Sequence, residues 1–280
     1  MKLKIRLAKY VLCCVTPVVT GSVFASSPTL AATLSSSGGQ LQIYNINQIP
    51  ENVETLTDTN TFATAELGST IAEAQAVASF IVDASASAAN LTFGEGEIYQ
   101  GIADSMSQVL GSFSIEEPNT YFTFDFSASL FVQTSIDTPQ AESANALTNL
   151  FFLLIDGSTQ TVYDAFGLFG NLTTPGDDDY LQPQINGNIT LSNSSISTSF
   201  GGTQESANVS VNGSLQRLFT TPTNLTLLAA TTNRSSVTSV PVPEPSSTLG
   251  LVGFLGSMGI WFGAKRKAFE LRSKLAHKLH

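Results

Sequence analysis

Carboxylates are the most numerous side chains in the central body of this chain that could carry acid–base chemistry. Between Ser26 and Ser247 lie 21 of the 22 acids, and no His, Lys or Cys occurs there. His277 and His280 stand near the C-terminus, and Cys13 and Cys14 near the N-terminus. A Ser-His-Asp triad needs an imidazole to take the serine proton. Ser-Lys and Cys nucleophiles need residues the body lacks, and so does a zinc site built on Cys or His. Two options survive. One is a pair of carboxyls facing each other across a cleft, as in a glycoside hydrolase. The other is an oxygen-ligated calcium site, for which Asp177-Asp178-Asp179, after Pro175-Gly176, is the densest acid run. Its spacing is not that of an EF-hand loop, and adjacent acids in a Pro-Gly turn are more often a solvated loop. No spacing marks out a hydrolase pair. The expectation is therefore no catalytic residue, no metal, no cofactor and no enzyme activity.

Charge narrows the partners. Arg217 and Arg234 are the only cations from Ser26 to Ser247, so against 21 acids the net charge there is −19. Such a surface repels phosphate backbones, which excludes nucleic acid as a partner of the body. It suits a hydrated exterior, where like charge keeps proteins soluble. Tyr99, Tyr121, Tyr163 and Tyr180 are candidates for stacking on sugars, or else core and rim residues. Asn-x-Ser/Thr triplets begin at eight asparagines, Asn90 and Asn233 among them, as expected of so Asn/Ser/Thr-rich a chain.

The elements that would position these groups read as strands. Phe122, Phe124, Phe126, Ala128, Leu130 and Val132 alternate with Thr123, Asp125, Ser127 and Ser129, the period of a half-buried strand. Ile185, Gly187, Ile189 and Leu191 alternate with Asn186, Asn188 and Thr190, and Val209, Val211 and Leu215 repeat the theme. Phe151 to Ile155 is a continuous apolar run before Asp156-Gly157, which predicts a central strand buried on both faces and closed by a turn. From Glu73 to Asn90 the alanines alternate with serines; a strand is favoured over a helix, its small residues allowing close approach of a neighbour. A helical turn at 142–145 is the other local alternative. Gly201-Gly202 and Pro222-Thr223-Asn224 read as turns. Many short strands between such turns predict an all-β fold, a single antiparallel β-sandwich or jelly roll spanning 33–236.

The two ends carry a different code. Lys2, Lys4, Arg6 and Lys9 precede an apolar stretch from Tyr10 to Phe24, with Val23 and Ala25 set for cleavage after 25. This is the layout of a secretory signal peptide, 1–25, with cleavage as late as 32 an alternative. At the other end, Pro-rich residues 237–247 lead into an uncharged run, 248–264. Its 17 residues are near the shortest length that spans a bilayer. Lys265-Arg266-Lys267 follow directly, a basic stop cluster expected to stay cytoplasmic. Pro241, Pro243 and Pro245 hold the preceding segment extended. Beyond the cluster, Ala268, Leu271, Leu275 and Leu279 recur at helical spacing, with Arg272, Lys274 and Lys278 on other faces. That predicts a basic cytoplasmic tail, 265–280, lying on an anionic membrane surface.

Val242-Pro243-Glu244-Pro245, the apolar run and Lys265-Arg266-Lys267 together resemble the PEP-CTERM sorting domain of exported bacterial proteins. The resemblance covers about forty residues at the C-terminal end. It implies recognition and processing by an exosortase near the motif, in a setting where exopolysaccharide is made. The chain thus reads as an exported protein, anchored by one transmembrane helix before processing and then placed at the cell surface or in the extracellular matrix. A structural or adhesive role follows as the leading expectation, with polysaccharide as a candidate partner. A carbohydrate-binding module and a secreted carboxylate-dependent glycoside hydrolase are the alternatives.

Overall fold

A computed structural model describes residues 32–81 and 83–240. The candidate signal peptide, the sorting motif, the apolar run and the basic tail lie outside the described residues. Among the described residues every regular element is a strand: β1 (Ala32–Tyr44), β2 (Asn52–Phe80), β3 (Ala84–Ile115), β4 (Thr120–Ser135), β5 (Glu142–Asp156), β6 (Val162–Thr174), β7 (Tyr180–Asn186), β8 (Ile189–Ser199), β9 (Gln204–Phe219) and β10 (Thr223–Ser239). All pairings are antiparallel.

The all-β, antiparallel expectation holds; the separate sheets of a sandwich or jelly roll do not. One sheet runs β7-β6-β5-β10-β3-β1-β4-β9-β8, with β2 added to β3. It curls into a nearly closed barrel. The two end strands, β7 and β8, are joined only by Gly187-Asn188. Facing walls meet inside: Ser37 on β1 bonds Ser235 on β10 at 2.9 Å, and Phe126 on β4 packs on Phe152 of β5 with centroids 5.0 Å apart.

The cause of the curl is β3. Its first half, Ala84 to Glu95, pairs with β1, and its second half, Tyr99 to Ile115, pairs with β10. Between them the inward parity switches. Ala84, Ala86, Ala88, Asn90, Thr92 and Gly94 are buried in the first half; Tyr99, Gly101, Ala103, Ser105 and Ser107 are buried in the second. The switch coincides with irregular register between Ala65, Leu67 and Gly68 on β2. Gly68 has φ +142° and Gly96 φ +116°, and each would drive a side chain into the other's backbone, so only glycine serves there. The bulge bends the β2–β3 ribbon around the corner that turns one sheet into two facing walls.

Three local readings need correction. The run Phe151 to Ile155 is not buried on both faces: Phe152 and Leu154 are fully buried, whereas Phe151, Leu153 and Ile155 are half-buried on the outer face. The wall curls around one interior and leaves its other side uncovered. Ile185 to Leu191 is not one strand but the end of β7, the Gly187-Asn188 link and the start of β8. Strand rather than helix holds from Glu73 to Asn90 and from Glu142 to Asn145, but the first stretch contains a hairpin turn between Phe80 and Ala84.

Candidate functional site

The interior is the first place to look for chemistry, and it is divided. At one end lie Phe113, Phe122, Phe124, Phe126, Phe152 and Phe166, all fully buried and linked ring to ring at 4.7–5.5 Å and 6.0 Å. The edge-on geometry of most pairs is the favourable one for aromatic quadrupoles. At the rim of this end sits Asp164, fully buried, ion-paired to Arg217 at 3.1 Å. Asp164 also accepts a hydrogen bond from the Asn188 amide, so it anchors the β7–β8 link. The Arg217 guanidinium lies 4.4 Å over the Tyr163 ring. Tyr163 in turn donates to Asp156 at 2.6 Å, which holds that carboxyl below its ordinary pKa and raises the phenol's. Asp156 also caps the amides of Ser158 and Thr159, closing the turn expected after β5.

The other end is lined with hydroxyls, amides and acids. Thr134 and Thr174 meet at 2.5 Å, and both donate to buried Glu205, which also accepts from the Gly201 amide at 2.7 Å. Glu142 accepts from the amides of Asp137 and Thr138 at 2.8 Å and from the Tyr99 hydroxyl at 3.3 Å. Burial, then the nearby Glu142 charge, pushes Tyr99 up to about 12, against the opposing bond to Thr33. Asn90, Thr92, Ser105, Ser107 and Asn233 add polar atoms with no partner among the described residues.

Asp164, Glu142 and Glu205 are buried and each is held by several donors, the role of structural acids. In the triple-acid turn, Asp177 and Asp178 are exposed. Asp179 accepts from the Thr173 amide at 2.9 Å, and its carboxyl is raised by burial and by Glu205 beside it. The three side chains do not converge, and among the described residues no group of three or more His, Cys, Asp or Glu is set to hold a metal.

The outer surface offers a different kind of site. On the wall formed by β3, β1, β4, β9 and β8, cross-strand registers line up rows of small polar side chains. One row is Ser87, Gln40, Ser129, Ser210 and Ser195; the next is Ser85, Gln42, Ser127, Asn212 and Asn193. Neither row holds a charge. At about 4.8 Å per strand the face is roughly 19 Å wide. In the adjoining row the Phe131 ring lies over Gly38, whose missing side chain makes the space: a Cβ there would collide with the ring. Phe131 is flanked by Asn208, its neighbour on β9. A flat ring beside hydroxyls and amides is an arrangement suited to the apolar face and the hydroxyls of a sugar.

Of the tyrosines named from sequence, Tyr99 is buried and Tyr163 is engaged with Arg217 and Asp156, while Tyr121 and Tyr180 are exposed. Phe131 was not singled out by the alternation, since it is the one outward phenylalanine in a strand whose other phenylalanines point in. Gly38 opposite it was the available signal. Asn90 and Asn233 are buried in the interior, which removes both from any surface modification.

Comparison with known proteins adds one finding. Residues 241–267 match the PEP-CTERM protein-sorting motif. The match spans Val242-Pro243-Glu244-Pro245 and Lys265-Arg266-Lys267. It identifies an exosortase-substrate protein: exported, processed by exosortase, and membrane- or surface-associated. No curated protein and no solved structure matches the chain.

Proposed function

We propose that this protein is a structural or adhesive component of the cell surface or extracellular matrix in an exopolysaccharide setting, and not an enzyme. In this reading exosortase grips Val242-Pro243-Glu244-Pro245 while Lys265-Arg266-Lys267 holds the far side of the membrane. The observation that carries the role of the body is the uncharged Ser/Gln/Asn face across five strands, with the Phe131 ring over Gly38. A surface so acidic elsewhere keeps these two rows free of charge, as contact with a neutral or acidic polymer requires. The buried acids serve the fold, which speaks against a carboxylate-dependent hydrolase. The same observation favours, as a second reading, a carbohydrate-binding module whose ligand stacks on Phe131. The test is co-sedimentation of the exported protein with the secreted polysaccharide of the host that processes it. Retention that survives 0.5 M salt (roughly a 5 Å screening length) and drops at least tenfold in Phe131→Ala supports stacking on this face. Retention unaffected by Phe131→Ala leaves adhesion but removes the face as its seat; no retention at all overturns the reading.

A further inference from the structure

The outer edge of β2 is the least protected part of the body. Every residue from Glu54 to Ser69 is exposed, on both faces of the strand. Leu56, Phe62 and Leu67 are 52%, 49% and 55% exposed. Among the described residues, one ladder, to β3, holds the stretch. Exposed edges are usually blunted by shortness, Lys, Pro or a bulge. The other edges show this: β7 has seven residues including Pro183, and β8 is broken by irregular register between Leu191 and Asn193. From Asn52 to Ala65, β2 has no Lys, no Pro and unbroken register.

What could cover this edge is written in its sequence, which is nearly palindromic about Thr59. If a second β2 lies antiparallel with Thr59 opposite Thr59, then Thr57 faces Thr61, Asp58 faces Asn60, and Leu56 faces Phe62, each twice. Glu54 falls opposite Thr64, Glu51 opposite Leu67 and Glu66 opposite Asn52, so no acid meets an acid. Neighbouring choices are worse. Centring on Asp58 pairs it with itself, centring on Asn60 pairs Glu54 with Glu66, and a parallel in-register pair stacks every acid on its own copy. Directly opposed apolar pairs stabilise a ladder and like charges oppose it. The face is consistent as well: Ile102 on β3 lies beside Phe62, so Ile102, Phe62 and the second copy's Leu56 form one apolar strip.

We infer that the partner of the β2 edge is a second copy of this chain, joined antiparallel about Thr59 in a two-fold dimer with a sheet continuous across the interface. This goes beyond the proposed adhesive role and does not depend on it. The body has no cysteine, so introduced thiols report position cleanly once Cys13→Ser and Cys14→Ser are made in the full chain. Mild oxidation of Thr59→Cys should give a disulfide dimer, because a residue opposite itself in an antiparallel pair lies about 4.5–5.5 Å from its mate, within disulfide reach. Thr55→Cys alone should give at least tenfold less, and Thr55→Cys with Ala63→Cys should restore the yield. In the Thr59→Cys background, adding Leu56→Lys and Phe62→Lys should cut the dimer at least tenfold, and Leu56→Lys with Phe62→Glu should bring it back. Equal crosslinking at positions 59 and 55, or yield indifferent to the charge pattern at 56 and 62, overturns the inference. Recovery by the charge-swapped pair, as heavily substituted as the repelling pair, shows that loss in the latter is not misfolding.

Discussion

The two ends of the barrel interior are lined by the same strands, alternate with the same period and are equally sealed from solvent, yet they are held by different forces. One end is a chain of phenylalanines closed by the Asp164–Arg217 pair; the other is a mesh of serines, threonines, asparagines and two acids. Burying one large apolar side chain contributes about 1.5–3 kcal/mol. A made hydrogen bond contributes only about 0.5–1.5 kcal/mol net, and a buried polar atom left without a partner costs about 1–3 kcal/mol. The phenylalanine end therefore supplies the stability, and the polar end draws on it. Small side chains at the polar end have a steric purpose. Gly39 on β1 faces Thr231 and Thr148 so closely that a Cβ would sit 2.8 Å from one and 3.0 Å from the other. There the walls approach too near for large apolar residues.

This contrast can be broken at several points. The largest effect should come from Phe152→Ala, which removes the ring that touches Phe124, Phe126 and Phe166. Truncating a buried Phe costs about 3–5 kcal/mol, and the urea midpoint of the purified protein should fall accordingly. Arg217→Met should cost about as much or slightly less, since it leaves Asp164 charged and buried without its cation, a loss of about 3–5 kcal/mol in such pairs. Arg217→Met with Asp164→Asn should recover part of it, because the uncompensated charge is gone while an acceptor for the Asn188 amide remains. If the double variant is no more stable than Arg217→Met, the pair is not acting through charge.

At the polar end the effects should be smaller and of opposite sign. Ser107→Ala deletes a buried hydroxyl that has no partner among the described residues, so stability should rise by up to about 1 kcal/mol or stay unchanged. A fall greater than that would mean the hydroxyl is satisfied in solution. The smallest effect concerns Asp179. Its folded pKa is raised by burial and by Glu205, so the folded state binds its proton more tightly than the unfolded one. Stability from this group is then present below the unfolded carboxyl pKa and declines as pH rises through the folded value. Asp179→Asn should flatten that decline and raise the melting temperature slightly at pH 7, measured from pH 4 to 7 by scanning calorimetry. An unchanged pH profile would show that Asp179 is not strained by its neighbour.

Several elements were legible from pattern alone because their information is local. The inward phenylalanines of β4 follow from the alternation of six apolar with four polar residues, and the turn after β5 follows from Asp156-Gly157. The break at Gly187 was not legible. It depends on Asp164, which is far along the chain and holds the Asn188 amide in place. Nor was the half-burial of Phe151, Leu153 and Ile155, since an apolar run does not say whether a second layer will cover it. Gly68 and Gly96 take their meaning only from each other, since they lie opposite across the ladder.

The sequence by itself determined that the chain is all-β in its body, lacks imidazole, thiol and amine chemistry there, and carries an exosortase sorting segment. Those properties reside in residue types and short spacings. Only the tertiary structure decided that one sheet closes nearly on itself, that Phe131 has a glycine to lie on, and that β2 is left with a bare edge. These depend on which strands pair across tens of residues, and pairing register is settled by the whole interior at once.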